Sequence, residues 1–215
     1  MNVKLIRYMP DPDELCGEAA ALCTGFTGDP VKALQGALSS GHAGVSEHSA
    51  FTFRVEGVSR VLLAQFTRHR LASFSVQSQR YCGVEPEWIV PETIRKAGWR
   101  LSYLDYCEKG FQLMQDMMRY GNVPAEDARY AIPQGVACNL MVTMNARELN
   151  HFFALRLCAR AQWEIRDLAD AMLAEVRRVA PVAFQGAGPG CARGHCPEGK
   201  RSCGNPWRAD KNAKT

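Results

Sequence analysis

The feature that most constrains this chain is a cationic segment at residues 67–81. Its fifteen residues contain three arginines, one histidine and three serines, and neither aspartate nor glutamate. Burying such cations without partners would cost on the order of several kcal/mol or more, so we expect the segment to lie where an anion can reach it. Guanidinium and hydroxyl groups suit a phosphate, because guanidinium donates paired hydrogen bonds to an oxyanion. The alternative is a solvated basic turn without a ligand.

Length and charge narrow the class of protein. The 215 residues suffice for one domain with its own hydrophobic core. The net charge of +4 is modest, whereas binders of nucleic acid polymers concentrate far more basic residues on one face, so we expect no such partner. Residues 1–8 contain no long apolar run, which predicts neither a signal peptide nor a membrane span. Nine cysteines in a chain without an export signal predict reduced thiols and a cytoplasmic location.

Helix and strand signals alternate along the chain without the regular spacing of βαβ units. Apolar and polar residues alternate at 51–55, as in a half-exposed strand. The predicted strands are 3–8, 51–55 and 136–144, and the predicted helices are 11–23, 30–38, 59–69, 103–120, 124–131 and 145–179. We predict an α+β fold in a single domain, with a mixed or antiparallel sheet flanked by long helices. Residues 1–185 are predicted to form this domain, and residues 186–215 a tail rich in cysteine and glycine.

Polar residues at the predicted helix starts indicate caps. Either Asp11 or Asp13 is expected to cap the first helix, and Ser59 the third. Asn145 and Glu148 match a capping box. In this motif the side chain of the first residue accepts from the backbone N–H of the second, and the side chain of the second accepts from the backbone N–H of the first. These caps support the predicted helix boundaries.

The helix predicted at 59–69 carries three hydrogen-bonding side chains that are expected to share one face. Gln65, Arg68 and His69 are spaced at i, i+3 and i+4, which brings side chains together on a helix. The serine-rich segment that follows lacks a helical period and is predicted to be a loop. These polar groups would therefore lie together immediately before the loop.

The helix predicted at 145–179 carries cations on two sides. Arg147 and His151 fall on one side, while Arg156 and Arg160 fall nearly opposite. Such a helix could serve two ligands, or one ligand and a neighbouring subunit. The alternative is pairing at the surface, which we favour for Arg160. The available carboxylates are Glu148, Glu164 and Asp167.

Common cofactor and nucleophile motifs are absent from the sequence. It contains no Gly-x-Gly-x-x-Gly, no phosphate-loop lysine pattern and no Gly-x-Ser-x-Gly, which disfavours standard dinucleotide and nucleoside-triphosphate folds. His42 and His48, with Glu47 between them, have neither the spacing nor the flanks of a zinc helix, so we do not predict a metal there.

The tail contains three closely spaced thiols. Four residues separate Cys191 from Cys196 and six separate Cys196 from Cys203, with His195 alongside. These groups could bind zinc or another thiophilic metal, although the spacing is not that of a zinc ribbon. The alternative is a set of unstructured reduced thiols.

The cationic segment carries a spaced string of fixed residues: Arg68-His69-Arg70, then Ser73, Ser78 and Arg80. This string resembles the Arg-His-Arg-x₂-Ser-x₄-Ser-x-Arg signature of the flavin-dependent thymidylate synthases. Further positions similar to that family are Gly41-His42, Glu47-His48, Arg129 before Pro133, Asn145-Ala146-Arg147, and Arg156 followed by 161–165. The resemblance covers residues 35 to 180 and leaves the tail unexplained.

The resemblance implies a reaction and an assembly. Members of this family convert dUMP to dTMP with methylenetetrahydrofolate, FAD and NADPH, and release tetrahydrofolate because reduced FAD supplies the hydride. It also implies a homotetramer with shared active sites, which the cations on opposite helix faces suit. An alternative from another class is a non-catalytic nucleotide-binding regulatory protein that uses the same basic segment.

The resemblance also implies two sets of contact residues. The first set would bind dUMP: Gln65, Phe66, Thr67, Arg68, Val76, Gln77, Ser78, Gln79, Arg80, Arg129 and Arg156. The second set would bind FAD: His42, Gly44, Glu47, Arg68, His69, Arg70, Val76, Asn145, Arg147 and His151. Arg129 and Arg156 resemble the arginines that reach the nucleotide from another subunit in this family.

By the same resemblance Arg156 has the catalytic role. A guanidinium near O2 and N3 of uracil stabilises the ionised ring and so makes C5 nucleophilic, and removing such a donor typically costs on the order of a hundredfold or more in rate. A competing hypothesis is covalent catalysis by Cys82, whose pKa nearby cations could lower, or by Ser78, for which the sequence offers no base. We expect neither residue to form a covalent bond.

Three positions depart from the family pattern. Ser75-Val76 stands where some members have Asn-Glu, so a polar side-chain contact at 76 is lost. His151 stands where asparagine is common, and it can still donate a hydrogen bond. Gly44 often corresponds to a hydroxyl residue, which leaves only its backbone for contact. The family assignment does not depend on these individual contacts.

Overall fold

The computed structural model describes residues 1–83, 86–194 and 196–207, and its elements follow the chain in this order. The strands are β1 (Asn2–Tyr8), β2 (Ala50–Ser59), β3 (Ala72–Val76) and β4 (Ala137–Asn145). The helices are α1 (Pro12–Thr24), α2 (Pro30–Ser39), α3 (Arg60–Phe66), α4 (Glu92–Lys96), α5 (Arg100–Tyr120), α6 (Ala125–Ala128), α7 (Ala146–Arg156) and α8 (Trp163–Val179). Short 3₁₀ turns occupy Ala43–His48, Arg129–Ala131, Gly190–Arg193 and Gly199–Arg201.

The four strands form one antiparallel sheet in the order β1-β2-β4-β3. The chain divides into two compact units, and β2, β3 and β4 each contribute residues to both. Unit 1 consists of Met1–Asn2, Val55–Phe66 and Ser75–Leu140, and unit 2 of Val3–Arg54, Thr67–Phe74 and the described residues from Met141 onward. The predicted α+β fold with an antiparallel sheet and long helices is confirmed. The boundary at residue 185 stays a prediction.

Each unit has its own apolar core. In unit 2, the ring of Phe184 packs edge-on against Phe51 at 5.4 Å and Phe153 at 5.9 Å between centroids. In unit 1, Phe111 and Met114 of α5 are buried against α6. Fully burying one such side chain stabilises a fold by about 1.5–3 kcal/mol. Within the part of the chain that the structure describes, no helix has the length and hydropathy required to cross a membrane.

Two of the predicted helix caps are confirmed. Ser59 Oγ accepts a hydrogen bond of 3.0 Å from the backbone N–H of Leu62, and Asn145 Oδ1 accepts one of 2.8 Å from that of Glu148. The predicted bond from the Glu148 carboxylate to the backbone of Asn145 is wrong, because this carboxylate bonds a histidine instead. That histidine is central to the site described below.

The prediction of an aspartate cap on α1 is wrong in its chemistry. Asp11 occupies the cap position with a left-handed φ of 42°, and its side chain makes no capping bond. Asp13 lies within α1, where it is 9% exposed, and its carboxylate accepts bonds of 2.8 Å from the backbone N–H groups of Val182 and Ala183. It therefore fastens the chain after α8 to α1.

Three predicted element boundaries are also wrong. The serine-rich segment is not all loop, because β3 occupies Ala72–Val76. Helix α3 ends at Phe66, so Arg68 and His69 do not continue its face: Arg68 is exposed and His69 buried. The long helix predicted at 145–179 is divided into α7 and α8 by a turn at 157–162. The side chain of Gln162 starts α8 by accepting from the backbone N–H groups of Glu164 and Ile165.

We predict that Asp13→Ala lowers the free energy of unfolding by about 2–4 kcal/mol, because two buried N–H groups lose a charged acceptor. Urea denaturation followed by circular dichroism measures the change. Glu14→Ala is the matched control, since Glu14 is exposed in the same helical turn. An equal decrease in the free energy of unfolding in both variants would show that the bonds from Asp13 to the chain after α8 contribute nothing to stability.

Candidate active site

A buried histidine joins two charged side chains in unit 2. His69 Nδ1 lies 3.1 Å from Glu148 Oε1, and His69 Nε2 accepts a hydrogen bond of 3.2 Å from Arg156 Nε. His69 is 4% exposed and Glu148 6% exposed. We call this set the Glu148–His69–Arg156 triad. It contains the residue predicted to be catalytic and one predicted to contact FAD.

One face of α7 builds the triad. Glu148 lies in the first turn of α7 and Arg156 in the last, with Phe152 midway between them. This spacing of i, i+4 and i+8 places all three side chains on the same side of a helix. The ring of His69 packs edge-on against Phe152, with 5.0 Å between centroids and planes at 84°. The histidine thus lies along two turns of the helix and reaches a charged group near each end.

The hydrogen bonds define the protonation of the triad. Because Arg156 donates to Nε2, the proton of the neutral imidazole must lie on Nδ1, where it is donated to Glu148. Burial lowers the pKa of His69 below its ordinary 6.5; the bond to Glu148 opposes this effect, and the charge of Arg156 adds to it. Burial also lowers the pKa of Arg156, although a guanidinium stays charged at neutral pH. The ring is therefore neutral and holds a charged guanidinium in place.

Exposed donors of unit 2 include most of the predicted FAD contacts. Arg147 forms an ion pair with Glu47, and both side chains are about half exposed. The ring of His151 is 5.9 Å from that of His69 between centroids, and His151 itself is exposed. The other predicted FAD contacts of this unit are also accessible: His42, Gly44, Arg68, Arg70 and Asn145.

The chemistry of these side chains fits a flavin dinucleotide. Guanidinium groups bind a pyrophosphate through paired hydrogen bonds, and Arg68, Arg70 and Arg147 are all exposed. His69 differs from them, because both of its ring nitrogens are already bonded to protein groups. Its predicted contact with a flavin would therefore use the ring surface or the backbone. Val76, the remaining predicted FAD contact, is half-buried in unit 1.

A second group of predicted residues lies in unit 1, where Asn139 of β4 organises the chain after β3. The backbone N–H of Gln77 donates to the carbonyl of Asn139 at 2.9 Å. The side-chain amide of Asn139 donates to Gln77 Oε1 at 3.1 Å and accepts from the backbone of Gly57 at 3.0 Å. The start of the predicted phosphate-binding segment is thereby fixed to the sheet.

Arg60 adds a cation that the sequence motif does not include. Its Nη2 donates to the carbonyl of Gln77 at 3.2 Å, while its Nε is buried and has no hydrogen-bond partner among the described residues. Arg60 lines a small cavity of about 90 Å³ together with Ser78 and Gln79. A buried donor without a partner beside predicted nucleotide contacts is the arrangement expected of a site for an anion.

Arg80 and Arg129, both predicted to bind dUMP, contact the same glutamate. Arg80 Nη2 lies 2.5 Å from Glu126 Oε2, with both side chains nearly half exposed, and Arg129 Nε donates to the Glu126 carbonyl at 3.0 Å. Gln79 and Arg80 line a cavity of about 650 Å³ against α5. Ser78 Oγ accepts from the backbone N–H of Arg80 at 3.2 Å, which shapes the turn.

The remaining predicted dUMP contacts differ in accessibility. Gln65 is half-buried and Thr67 exposed. Phe66 is fully buried, so its side chain belongs to the core and only its backbone can meet a ligand. Cys82, the alternative nucleophile, is an exposed free thiol. Exposure alone does not activate a thiol, so covalent catalysis through Cys82 gains no support from its position.

Sequence reasoning missed four residues that shape these two groups: Arg60, Glu126, Asn139 and Glu148. Glu148 could have been found, because Glu148, Phe152 and Arg156 recur at four-residue intervals on one helix. The partners of Asn139 and the ion pair of Glu126 with Arg80 could not, because these bonds join residues far apart in the sequence. Such pairs carry no local signal.

The three tail cysteines lie along one cavity of unit 2. No group of three histidine, cysteine or carboxylate side chains within 1–83, 86–194 and 196–207 is close enough to hold a metal ion as it stands. A metal site among the tail cysteines, which the sequence left open beside unstructured reduced thiols, is therefore not preformed among the described residues, and His195 lies outside them.

Comparisons with a family model and with curated proteins all identify thymidylate synthases. The family model described as thymidylate synthase complementing protein matches residues 4–182. Among curated proteins, the flavin-dependent thymidylate synthase of Geobacter sulfurreducens is 42% identical over 222 residues, covering 95% of this chain and 94% of that protein. That of Clostridium tetani is 38% identical over 232 residues, covering 95% and 93%.

Solved structures show the same fold. The flavin-dependent thymidylate synthase of Helicobacter pylori, complexed with FAD and dUMP, matches with a TM-score of 0.71 and 24% identity, over 87% of this chain and 100% of that one. A UMP/dUMP methylase of Streptomyces cacaoi, bound with 5-Br dUMP, matches with a TM-score of 0.76 and 23% identity, over 87% and 95%. At these identities the likeness concerns the fold alone.

We predict that acidification weakens the fold through His69. Its folded-state pKa is lowered, so between that value and about 6.5 the unfolded chain binds more protons, and stability falls as pH decreases by up to about 1.4 kcal/mol per pH unit. His69→Gln should lose this component. Urea denaturation from pH 7.5 to 5 measures it, with exposed His48→Gln as control. An unchanged slope in His69→Gln would contradict the neutral, bridging histidine.

Proposed function

Because the chain belongs to the thymidylate synthase complementing protein family, that of the flavin-dependent thymidylate synthases, we propose that it methylates dUMP to dTMP with FAD as its flavin. The structural observation that carries the proposal is the Glu148–His69–Arg156 triad. It holds a guanidinium by its Nε in a defined orientation at the end of α7. A reaction that must stabilise charge on a pyrimidine ring requires such a preorganised donor.

The residues after β3 are proposed to hold the phosphate of dUMP. Ser78 and Arg80 supply a hydroxyl and a guanidinium. Arg60 lines the same small cavity as Ser78, and its buried Nε has no hydrogen-bond partner among the described residues. A phosphate that binds Arg80 must take the place of Glu126 in the exposed ion pair. Exposed pairs of this kind contribute only about 0–1 kcal/mol, so a doubly charged phosphate can replace the carboxylate.

Arg156 is proposed to activate the base. Transfer of a one-carbon unit requires electron density at uracil C5, which increases when the ring loses its N3 proton and negative charge spreads over O2 and N3. A guanidinium beside these atoms stabilises that charge. The neutral ring of His69 accepts from Arg156 Nε without adding a competing positive charge.

The exposed donors of unit 2 are proposed to bind FAD. Arg68, Arg70 and Arg147 would bind its pyrophosphate, with His42, Glu47, Asn145 and His151 as further contacts. When bound and reduced, FAD supplies the hydride that completes the methyl group. Methylenetetrahydrofolate is the proposed carbon donor, leaving as tetrahydrofolate, and NADPH the proposed reductant. We also propose a cytoplasmic location, which the nine free thiols support.

The reaction itself tests this function. The purified protein should be yellow, its flavin absorbance should bleach with NADPH under anaerobic conditions, and it should reoxidise when dUMP and methylenetetrahydrofolate are added together, with dTMP formed in equal amount. Omitting dUMP provides the control. A colourless protein that binds dUMP but no FAD would instead be a non-catalytic nucleotide-binding protein.

We predict that Arg156→Lys lowers the turnover number by on the order of a hundredfold or more while FAD stays bound, because an ammonium lacks the planar donor geometry of a guanidinium. Chromatographic measurement of dTMP gives the rate, and flavin absorbance per chain gives the occupancy. Arg178→Lys, at an exposed pair on α8, is the control. Full activity in Arg156→Lys would remove this residue from the chemistry.

We also propose a homotetramer in which Arg129 and Arg156 reach the nucleotide of a neighbouring subunit. Arg80→Ala and Arg156→Ala chains would then complement each other. Co-expression with two affinity tags should give mixed oligomers in which about a quarter of the sites are intact under random assembly. Activity is measured at a dUMP concentration too low for the Arg80→Ala parent. If the mixed oligomers are as inactive as both parents, Arg80 and Arg156 of the same chain belong to the same site.

A further inference from the structure

Four cysteines of unit 2 line a single cavity of about 420 Å³. Three belong to the tail: Cys191, Cys196 and Cys203. The fourth, Cys158, lies in the turn between α7 and α8, where nothing in the local sequence marks it as a partner of the tail. All four are free thiols. Neither nucleotide binding nor flavin binding uses any of them.

We propose that this cavity is a structural zinc site whose four ligands are Cys158, Cys191, Cys196 and Cys203. Four thiolates in a closed tetrahedral arrangement are a donor set characteristic of structural zinc. Binding of one Zn²⁺ would release four thiol protons to solvent and leave a tetrathiolate centre of net charge −2. The cavity is also lined by two cations, Arg160 and Arg166, and two carboxylates, Asp170 and Glu198, whose formal charges balance.

The surroundings of the thiols suit this role. The backbone N–H of Trp207 donates to Cys191 Sγ at 3.4 Å, and hydrogen bonds of this kind stabilise a metal-bound thiolate. The thiol of Cys203 donates to the carbonyl of Asn205 at 3.4 Å. Coordination would replace the Cys203 proton, whereas the bond to Cys191 would persist. Two of the four sulfurs are thus already oriented by backbone groups from the end of the described tail.

Binding requires the tail to close. Zinc–sulfur bonds of about 2.3 Å bring tetrahedral ligands to within about 3.8 Å of one another, and the described side chains do not yet approach that closely. The described part of the tail can move without unfolding an α-helix, since its regular structure there is two short 3₁₀ turns. Gly194 and Gly204 supply turns at positive φ between and after the ligands. The ion would therefore order the tail around itself.

The proposed site would connect the tail to the catalytic arginine. Cys158 is two residues beyond Arg156, and a second cavity of about 290 Å³ is lined by Arg156 together with Cys158, Cys191 and Cys196. An ion that fixes Cys158 would also fix the end of α7, from which Arg156 projects. Zinc would thus act as a positioning element, without contact to substrate or flavin.

Metal analysis of the full-length protein tests the proposal. Protein purified under reducing conditions, from cells supplied with zinc, should contain one zinc per chain, and a mercurial that titrates thiols should release it in step with four thiols. Cys158→Ser and Cys196→Ser should each retain less than a tenth of the zinc. Cys23→Ser, at an exposed position on α1, should retain all of it. Activity plays no part in this readout, so it is independent of the proposed function.

A second measurement needs no variant. Alkylation followed by peptide mass spectrometry should show the four proposed ligands protected in the purified protein and reactive after chelation. The exposed Cys23 and Cys82 should react in both states. Three outcomes would overturn the site: no stoichiometric metal with all four thiols reactive; disulfides among these cysteines; or iron with visible absorbance near 400 nm, which indicates an iron–sulfur cluster.

Discussion

The buried bond between His69 and Glu148 is the interaction on which the proposed catalytic group depends. A carboxylate that is 6% exposed needs a strong donor, and His69 supplies it through Nδ1. That choice leaves Nε2 as an acceptor, which only a donor such as Arg156 Nε can satisfy. The orientation of the guanidinium therefore follows from the need to satisfy a buried acid on the first turn of the same helix. Stability and the proposed chemistry rest on the same two hydrogen bonds.

Part of this arrangement was accessible from the sequence. The family resemblance predicted that His69 and Arg156 belong to one site, and Asn145 was correctly predicted to cap α7. The capping box, however, assigned the Glu148 carboxylate to its own helix start. Its actual partner is 79 residues away in the sequence, and a local pattern cannot rank a long-range charged bond above a local one. Burial decides between them, because the better donor for a desolvated carboxylate is the imidazole N–H.

The same limit explains two of the three errors in secondary structure. Residues 72–76 were predicted as loop because the serine-rich segment lacks a helical period, yet Ala72, Phe74 and Val76 are half-buried while Ser73 and Ser75 are exposed. This is the alternation of a strand, and β3 ends the strand order of the sheet, where a polar face is tolerated. The apolar period of 145–179 likewise continues through a turn that no proline or glycine marks. There the Gln162 side chain, by capping α8, starts a new helix.

The two cationic groups differ in how firmly the protein holds them, and this difference matches their proposed tasks. Arg80 is about half exposed and paired with an equally exposed Glu126, so a ligand phosphate can replace the carboxylate at the cost of an interaction worth about 0–1 kcal/mol. Arg156 is bonded to a histidine that is 4% exposed, and exchanging that partner would uncover a buried acid as well, at a cost of several kcal/mol on the order expected for an unpaired buried charge. A group that recognises substrate must release its protein partner at each turnover. A group that stabilises charge during the reaction is more effective if it keeps its protein partner throughout.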